Sequence, residues 1–320
     1  MTQAPGPGLN TPPVSSRSLL ALEIAEELVD APDWGYRRAF ITMKARDFET
    51  EGFTLFGSGS PDGIEQVAAG KAQLAMINPS AMLTMAYRGE GPFDCALPVR
   101  VISILPSYDQ ITIAVAESTG LKSLGDISEQ KYPLRISIRG PRENSVSQVA
   151  NQICKAAGFM LDDVVGWGGE VRYDYRLPGP RMVDLESGAV DCLIDEAVRQ
   201  WVEPAAAQGF RFLPIDGAVL EALVAIGFRP GVVSKQHFPS LPSDLDALDF
   251  SGFPVFTNAD VPDAQVRAIC EALEARKDRI PWEGLGPLPL ATMCRDTVEG
   301  PLDVPLHPAA EAFWRVQGYL

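Results

Sequence analysis

Charged side chains follow two apolar stretches of the sequence, at places where strands of a sheet would end. Arg139 closes one stretch, and Asp195 and Glu196 follow the apolar run 190–194. A guanidinium there could hold a carboxylate through two hydrogen bonds, and the paired carboxylates could receive an amine or a cation. For Arg139, a surface salt bridge is as good an interpretation as ligand binding. For the acidic pair, a solvent-exposed strand end is equally good. For Arg142 we expect the salt bridge.

Polar residues also lie where strands would lead into helices. The three turns of this kind are Ser58-Gly59-Ser60, Asn78-Pro79-Ser80 and the segment 139–145. Free backbone amides at helix N-termini favour an anion such as a carboxylate. Plain N-capping explains several of these side chains equally well, and capping and ligand contact can coexist. The predicted ligand-binding residues are Ser58, Ser60, Asn78, Ser80, Tyr108, Arg139, Asn144, Ser145, Asp195 and Glu196.

Few residues suit other kinds of chemistry. The chain has two histidines, and the setting of His307 between Leu306 and Pro308 favours a structural role. Its five cysteines are scattered without a Cys-x-x-Cys pair, which predicts buried, unreactive thiols and a reducing compartment. The sequence contains no nucleotide-binding fingerprint and no nucleophile elbow. We therefore predict no catalytic residue, no metal site and no cofactor.

Composition excludes two classes of partner. The chain has 320 residues and a formal charge of −15, which argues against binding nucleic acid. No apolar run reaches the roughly 18 residues that a membrane-spanning helix needs. Composition leaves a small molecule or a protein as the partner, and the anion-favouring turns make a small organic acid or an amino acid the expected one. Residues 1–18 are rich in Pro, Gly and Ser and carry no secretory signal, which predicts a disordered arm and a chain that is cytoplasmic or has lost its leader.

The elements that must position these side chains alternate between strands and helices. Such alternation predicts α/β lobes, each with a mainly parallel sheet. The predicted strands are 53–56, 73–77, 99–105, 111–115, 135–138, 190–194 and 253–257. The predicted helices are 19–29 after a Ser18 cap, 61–69 after a Ser60 cap, 146–157 ended by Gly158, 181–187, 263–277 and 309–316.

Four segments, in this order and spacing, resemble one family over about residues 50–320. They are Gly57–Ile77 (GSGSPDGIEQVAAGKAQLAMI), Gly120–Asp126 (GLKSLGD), Asp184–Asp191 (DLESGAVD) and Val304–Gly318 (VPLHPAAEAFWRVQG). The chain thereby resembles the TAXI-type solute-binding proteins of TRAP transporters, which belong to the bilobal type II periplasmic binding proteins. It departs from them in lacking an export signal and the first strand with its glycine-rich loop.

The resemblance implies a two-lobed type II periplasmic-binding-protein-like fold, each lobe a mixed sheet flanked by helices. Lobe one would span 19–107 and 233–320, and lobe two 108–232. A carboxylate-bearing solute would bind between them, TRAP membrane subunits would be partners, and the location would be periplasmic. An enzyme on the same scaffold, such as a decarboxylase or lyase of an aromatic acid, and a cytoplasmic metabolite sensor are the alternatives.

Overall fold

A computed structural model describes residues 16–30, 38–43 and 53–320. The chain divides into residues 1–37 and residues 38–320, which are described separately. In the first part, helix α1 spans Ser16–Asp30 and begins before the Ser18 cap that the sequence predicts. The rest of the predicted disordered arm lies outside the described residues. Within the described ranges, no helix has the length and apolar character needed to cross a membrane.

Residues 38–320 form two sheets with helices around them. The helices are α2 (Asp62–Ala68), α3 (Ser80–Arg88), α4 (Leu124–Gln130), α5 (Ser145–Ala156), α6 (Leu161–Gly166), α7 (Met182–Glu186), α8 (Val198–Ala207), α9 (Gly217–Ile226), α10 (Asp263–Arg276), α11 (Leu290–Met293) and α12 (Pro308–Val316). The strands are β1 (Arg38–Met43), β2 (Phe53–Ser58), β3 (Leu74–Met76), β4 (Val99–Leu105), β5 (Gln110–Ala116), β6 (Arg135–Arg139), β7 (Glu170–Asp174), β8 (Cys192–Asp195), β9 (Phe210–Leu213), β10 (Pro230–Val233), β11 (Leu245–Asp249) and β12 (Phe253–Asn258).

The first sheet has the strand order β1-β2-β3-β12-β4. Only the β2–β3 pair is parallel, while β12 runs antiparallel to both of its neighbours. The second sheet has the order β10-β11-β5-β8-β6-β7, and β9 also pairs with β5. There β6 is parallel to β7 and β8, and the other pairs are antiparallel. Both sheets are therefore mixed, as the resemblance implies.

Strands β4 and β5 are buried on both faces, and their successive side chains point to opposite sides of the sheet. In β4, Val101 joins the core around α2 and α3, and Ile102 joins the core around α10 and α12. In β5, Ile113 joins the same core as Val101, which also contains α5, and Ala114 joins the cluster that contains α8. The indole nitrogen of Trp314 donates to the carbonyl of Ile102 at 2.8 Å, which fastens α12 to the first sheet.

The chain crosses between the sheets twice, and the two crossings are hydrogen-bonded to each other. The first crossing lies between β4 and β5, and the second between β11 and β12. The amide of Phe250 donates to the carbonyl of Asp109 at 2.9 Å, and the amide of Gly252 donates to the carbonyl of Ser107 at 3.0 Å. The hydroxyl of Ser251 accepts the Asp109 amide at 3.1 Å. The connection between the sheets is therefore a short two-stranded ladder.

Several sequence predictions need correction. The expectation of mainly parallel sheets is wrong, because β12 returns from the second sheet and inserts antiparallel between β3 and β4. Strand β1 precedes β2 although the sequence predicts no strand there. Strands β10 and β11 belong to the second sheet, because β10 pairs with β11 and β11 pairs with β5. Helix α2 begins at Asp62, with Pro61 as its cap, and α7 begins at Met182.

Candidate functional site

The carboxyl ends of β6 and β8 bring the predicted charged residues together. These strands are parallel neighbours in register at Ile138 and Ile194, so Arg139 and Asp195 follow side by side. The Arg139 Nη2 atom lies 3.2 Å from Asp195 Oδ1, and the same guanidinium is paired with Glu196. The side chains of Arg139 and Glu196 keep 17% and 12% of their surface exposed, whereas that of Asp195 is fully buried.

A second arginine, Arg181, completes this group and was not predicted from the sequence. It ends the 3₁₀ turn before α7, is fully buried and forms an ion pair with Asp195. Its Nη1 atom donates to the hydroxyl of Ser137 at 2.8 Å. Desolvation lowers the pKa of both Arg139 and Arg181 to about 10, which still leaves each charged at neutral pH. The Asp195 carboxylate therefore bridges two guanidiniums.

Asp109, from the first crossing, adds a third carboxylate. Its Oδ2 atom accepts the Ala197 amide at 2.9 Å, and its Oδ1 atom accepts the Gln110 amide at 2.8 Å. Burial raises the pKa of Asp109, while these backbone hydrogen bonds and the positive charge of Arg139 oppose the rise. Ala197 adopts a left-handed conformation, with φ at +57°, that a non-glycine residue seldom takes. The backbone beside Glu196 is thus held in a strained turn by the Asp109 carboxylate.

The N-terminus of α5 contacts the first sheet. Asn144 caps this helix by accepting the Val146 amide at 2.9 Å. The amide of Ser145 donates to the carbonyl of Gly59 at 3.2 Å, and its hydroxyl lies 3.4 Å from the same oxygen. The turn after β2 and the turn after β6, both predicted ligand-binding segments, therefore meet directly. The hydroxyl of Ser147 donates to the Arg139 carbonyl at 3.2 Å and ties α5 to the charged group.

Ser58 and Ser60 are engaged within their own turn, whereas Asn78 contacts the second crossing. The Ser58 hydroxyl donates to Asp62 Oδ1 at 2.8 Å, and the Ser60 amide donates to the Ser58 oxygen at 3.1 Å. The Asn78 side-chain amide donates to the carbonyls of Phe250 and Gly252 at 3.0 and 3.1 Å, so it fastens the second crossing.

Two further predicted residues border the crossings. The Ser80 amide donates to the Ser251 carbonyl at 3.1 Å. The Ser80 hydroxyl is buried and has no hydrogen-bond partner among the described residues. The Tyr108 hydroxyl donates to the Val232 carbonyl at 3.2 Å, and burial raises the pKa of this phenol. Tyr108 thus links the first crossing to β10.

Arg142, His307 and the cysteines, which are not among the predicted ligand-binding residues, have ordinary structural contacts. Arg142 forms an exposed salt bridge with Asp162, with 2.5 Å between Nη2 and Oδ1, which confirms that prediction. The Nδ1 atom of His307 accepts the Ala309 amide at 3.2 Å and caps α12. All five cysteines are free, and all but Cys95 are buried. The described residues contain no cluster of three or more His, Cys, Asp or Glu side chains suited to a metal ion.

Together these contacts give a partly buried ionic group beside the junction of the two sheets. Two guanidiniums face three carboxylates, and the formal balance is one negative charge when all five groups are ionised. Asp195 and Arg181 are sealed from solvent, so they hold the group in place. Arg139 and Glu196 form an ion pair that solvent reaches, and Asp109 is also partly exposed.

Comparison with known proteins adds three solved structures and one family. An ancestral arginine-binding protein bound to arginine shares 13% identity over 68% of this chain and 72% of its own, with a TM-score of 0.32. The periplasmic aliphatic sulphonate binding protein SsuA of Escherichia coli shares 13% identity over 67% and 57%, with a TM-score of 0.29. PhnD1 of Prochlorococcus marinus (MIT 9301), in complex with methylphosphonate, shares 9% identity over 82% and 84%, with a TM-score of 0.39. The family model described as NMT1-like family matches residues 44–318, and the chain belongs to that family.

Proposed function

We propose that this protein binds a small solute carrying both a carboxylate and an amino group, as an amino acid does, beside Arg139. The single observation that carries the proposal is the pairing of the partly exposed Arg139 and Glu196 side chains in front of the fully buried Asp195–Arg181 pair. The ion pair with the buried Asp195 holds Arg139 in place, so its guanidinium is already oriented before a ligand binds. A preorganised arginine can hold a carboxylate through two hydrogen bonds.

Binding would proceed by exchange of ion-pair partners. The solute carboxylate takes the place of Glu196 on the Arg139 guanidinium. Glu196, once released, accepts the solute ammonium group. A simple monocarboxylate would leave Glu196 unpaired in a partly buried position, and an unpaired buried charge is costly. The exchange therefore favours a zwitterion over a plain organic acid.

Polar contacts across the junction of the sheets suit closure over such a solute. The Gly59–Ser145 contact joins the two predicted binding turns. Arg229, which is partly buried, pairs with Asp303 at 2.7 Å and with the exposed Asp296 at 2.8 Å. Solvent reaches these ion pairs, and such pairs contribute little net stability, so closure can rearrange them. We propose hinge bending at the two hydrogen-bonded crossings, near residues 107 and 251.

Within this reading, the finer assignment is a TAXI-type solute receptor that delivers its ligand to TRAP membrane subunits. The support for it is the order and spacing of the four sequence segments from Gly57 to Gly318 given above. A location outside the cytoplasm would accompany that role.

The test is isothermal titration calorimetry, preceded by a thermal-shift screen, with amino acids, matched monocarboxylates and matched monoamines. We expect saturable binding only for zwitterions, with a rise in Tm because the ligand binds the folded state. Arg139→Gln should abolish binding. Glu196→Gln should weaken amino-acid binding and strengthen binding of the matched monocarboxylate, because Arg139 loses its internal competitor.

Arg142→Gln is the matched control, since Arg142 lies in the same loop and its guanidinium contacts the exposed Asp162 and the Tyr173 ring rather than the ionic group. It should bind like the wild-type protein. Binding that survives in Arg139→Gln would overturn the assignment of the site, and silence across the whole panel would overturn the proposed function. Mass spectrometry of the ligand after incubation separates binding from catalysis, because a binding protein returns its ligand unchanged.

A further inference from the structure

A cavity lies where β2 and β3 begin, and none of the residues of the ionic group lines it. The cavity between these strands and α10 has a volume of about 430 Å³. Phe53 and Leu74, the first residues of β2 and β3, lie on one side of it, and Ile269 and Leu273 of α10 lie on the other. Cavities of this size commonly hold small molecules. The described residues leave this apolar lining open to solvent, and such a lining is unfavourable unless something covers it.

Alanines keep the helical side of this cavity open. Ala268 and Ala272 lie one turn apart on α10, line the cavity and are exposed. Residues four apart in a helix share a face, so both present only a methyl group to the same strip of the cavity. A larger side chain at either position would fill it. The small residues thus give the cavity an elongated shape along the helix axis.

Polar side chains mark both ends of this strip. Gln265 lines the cavity, is 94% buried, and its Oε1 atom has no hydrogen-bond partner among the described residues. Arg276 lines the other end at the last residue of α10. The nearby carboxylate of Glu274 pairs with Lys277 at 2.5 Å rather than with Arg276. Gln265 and Arg276 are eleven positions apart along the helix, which corresponds to about 16 Å.

We propose that this cavity binds the chain of a fatty acid. The hydrocarbon chain would lie along Ala268 and Ala272 against the aromatic and aliphatic side chains of the strands. The carboxylate would pair with the Arg276 guanidinium at the solvent-facing end. A hydroxyl at the far end of the chain would meet the buried amide of Gln265, which can both accept and donate a hydrogen bond.

Charge favours an acid over other single-chain amphiphiles. The protein as a whole carries a formal charge of −15 and repels anions at long range. The net charge therefore gives no attraction for an acid, and any attraction at this cavity comes from Arg276 at its mouth. Arg276 also suits the negative end of the α10 dipole, but that role needs no cavity beside it.

The experiment titrates the full chain with dodecanoate and with dodecyltrimethylammonium, both below their micellar concentrations, by calorimetry. We expect saturable binding of dodecanoate near one equivalent and weaker binding of the cation. Arg276→Gln should weaken dodecanoate binding by up to about five-fold, as expected for one exposed ion pair, and remove the preference for the acid. ω-Hydroxydodecanoate should bind more tightly than dodecanoate, and Gln265→Leu should erase that difference.

Ala272→Trp fills the cavity from an exposed position and should abolish binding. Ala275→Trp, on the same helix but outside the cavity, is the control for helix stability and should bind normally. Equal dodecanoate binding by both tryptophan variants, or no saturable binding by the wild-type protein, would overturn the proposal. Arg142→Gln, at an exposed residue outside both sites, should bind dodecanoate normally, and the dodecanoate titration is read separately from the amino-acid titration.

Discussion

At the scale of single residues, the most consequential side chain is Asp195, which is fully buried between two arginines. Removing one partner of a buried charge network leaves the others uncompensated, and this is far more costly than the network's net contribution to stability. Asp195 was predicted from the sequence as a ligand-binding residue. In the site that we propose, its burial between the two guanidiniums suits it to position Arg139 for the ligand.

A second buried carboxylate, Asp249, predicts a pH dependence of stability. Burial raises its pKa to about 6, against hydrogen bonds from Ser251 and Gln110. An exposed aspartate titrates near pH 4, so between about pH 4 and 6 the folded protein holds a proton that the unfolded chain loses. The stability that this group contributes is therefore present below pH 4 and lost as the pH rises through 6.

We expect Asp249→Asn to raise the free energy of unfolding by about 1–3 kcal/mol at pH 7.5, with the gain shrinking towards zero near pH 4. The asparagine keeps an oxygen that can accept from Gln110 and Ser251. Urea unfolding at the two pH values is the measurement. An equal effect at both would show that the charge of Asp249 is not what destabilises the protein.

At the scale of elements, the turn between β6 and α5 depends on one glycine. Gly140 has φ at +74°, and a Cβ atom there would lie 2.6 Å from the Cβ atom of Asn144, the residue that caps α5. The left-handed backbone costs a non-glycine residue about 1–2 kcal/mol. The clash would in addition displace the cap and the Ser145–Gly59 contact.

Gly140→Ala should therefore destabilise the protein by at least about 2 kcal/mol and weaken ligand binding. Gly125→Ala is the matched control: Gly125 lies in α4, and a Cβ there would meet only the Ser123 hydroxyl, at 3.7 Å. That substitution should be neutral or slightly stabilising. Urea unfolding compares the two, and similar midpoints would mean that the turn tolerates a side chain.

Local patterns predicted most elements but not their directions. Val99–Leu105 is the strand expected, and α10 and α12 agree with prediction to within one residue. Apolar periodicity reports which face of an element is buried, and this is a local property. The antiparallel insertion of β12 depends on where the chain returns from the other sheet, which no local pattern encodes.

Local patterns likewise predicted some residues of the candidate site and missed another. Arg139, Asn144 and Glu196 were found because they follow apolar strands or precede a helix. Arg181 was missed because a Gly-Pro-Arg turn carries no signal that its arginine is buried. Its burial follows from the nearness of Asp195, a contact between residues far apart in the chain.

At the scale of the whole molecule, the charge of −15 predicts a response to salt. Like charges on a compact protein repel one another, and the unfolded chain relieves that repulsion. Raising sodium chloride from about 10 mM to about 150 mM shortens the screening length from roughly 30 to 8 Å. We expect Tm to rise over this range in differential scanning calorimetry.

Glu129→Lys supplies the comparison, because Glu129 is exposed and the substitution makes the net charge less negative by two. Its Tm should depend less steeply on salt. A fall of Tm with salt in the wild-type protein would mean instead that ion pairs such as Arg229–Asp303 outweigh the net repulsion.

The position of β12 also sets the order in which the protein can fold during synthesis. β12 lies between β3 and β4, which do not pair with each other, so the first sheet keeps a gap until residues 253–258 leave the ribosome. The strands of the second sheet all lie within residues 110–249 and are available earlier. Domains of nascent chains usually fold from the N-terminus. Here the half that is translated first must wait, with its central edges unpaired, for a strand made after the other half is complete.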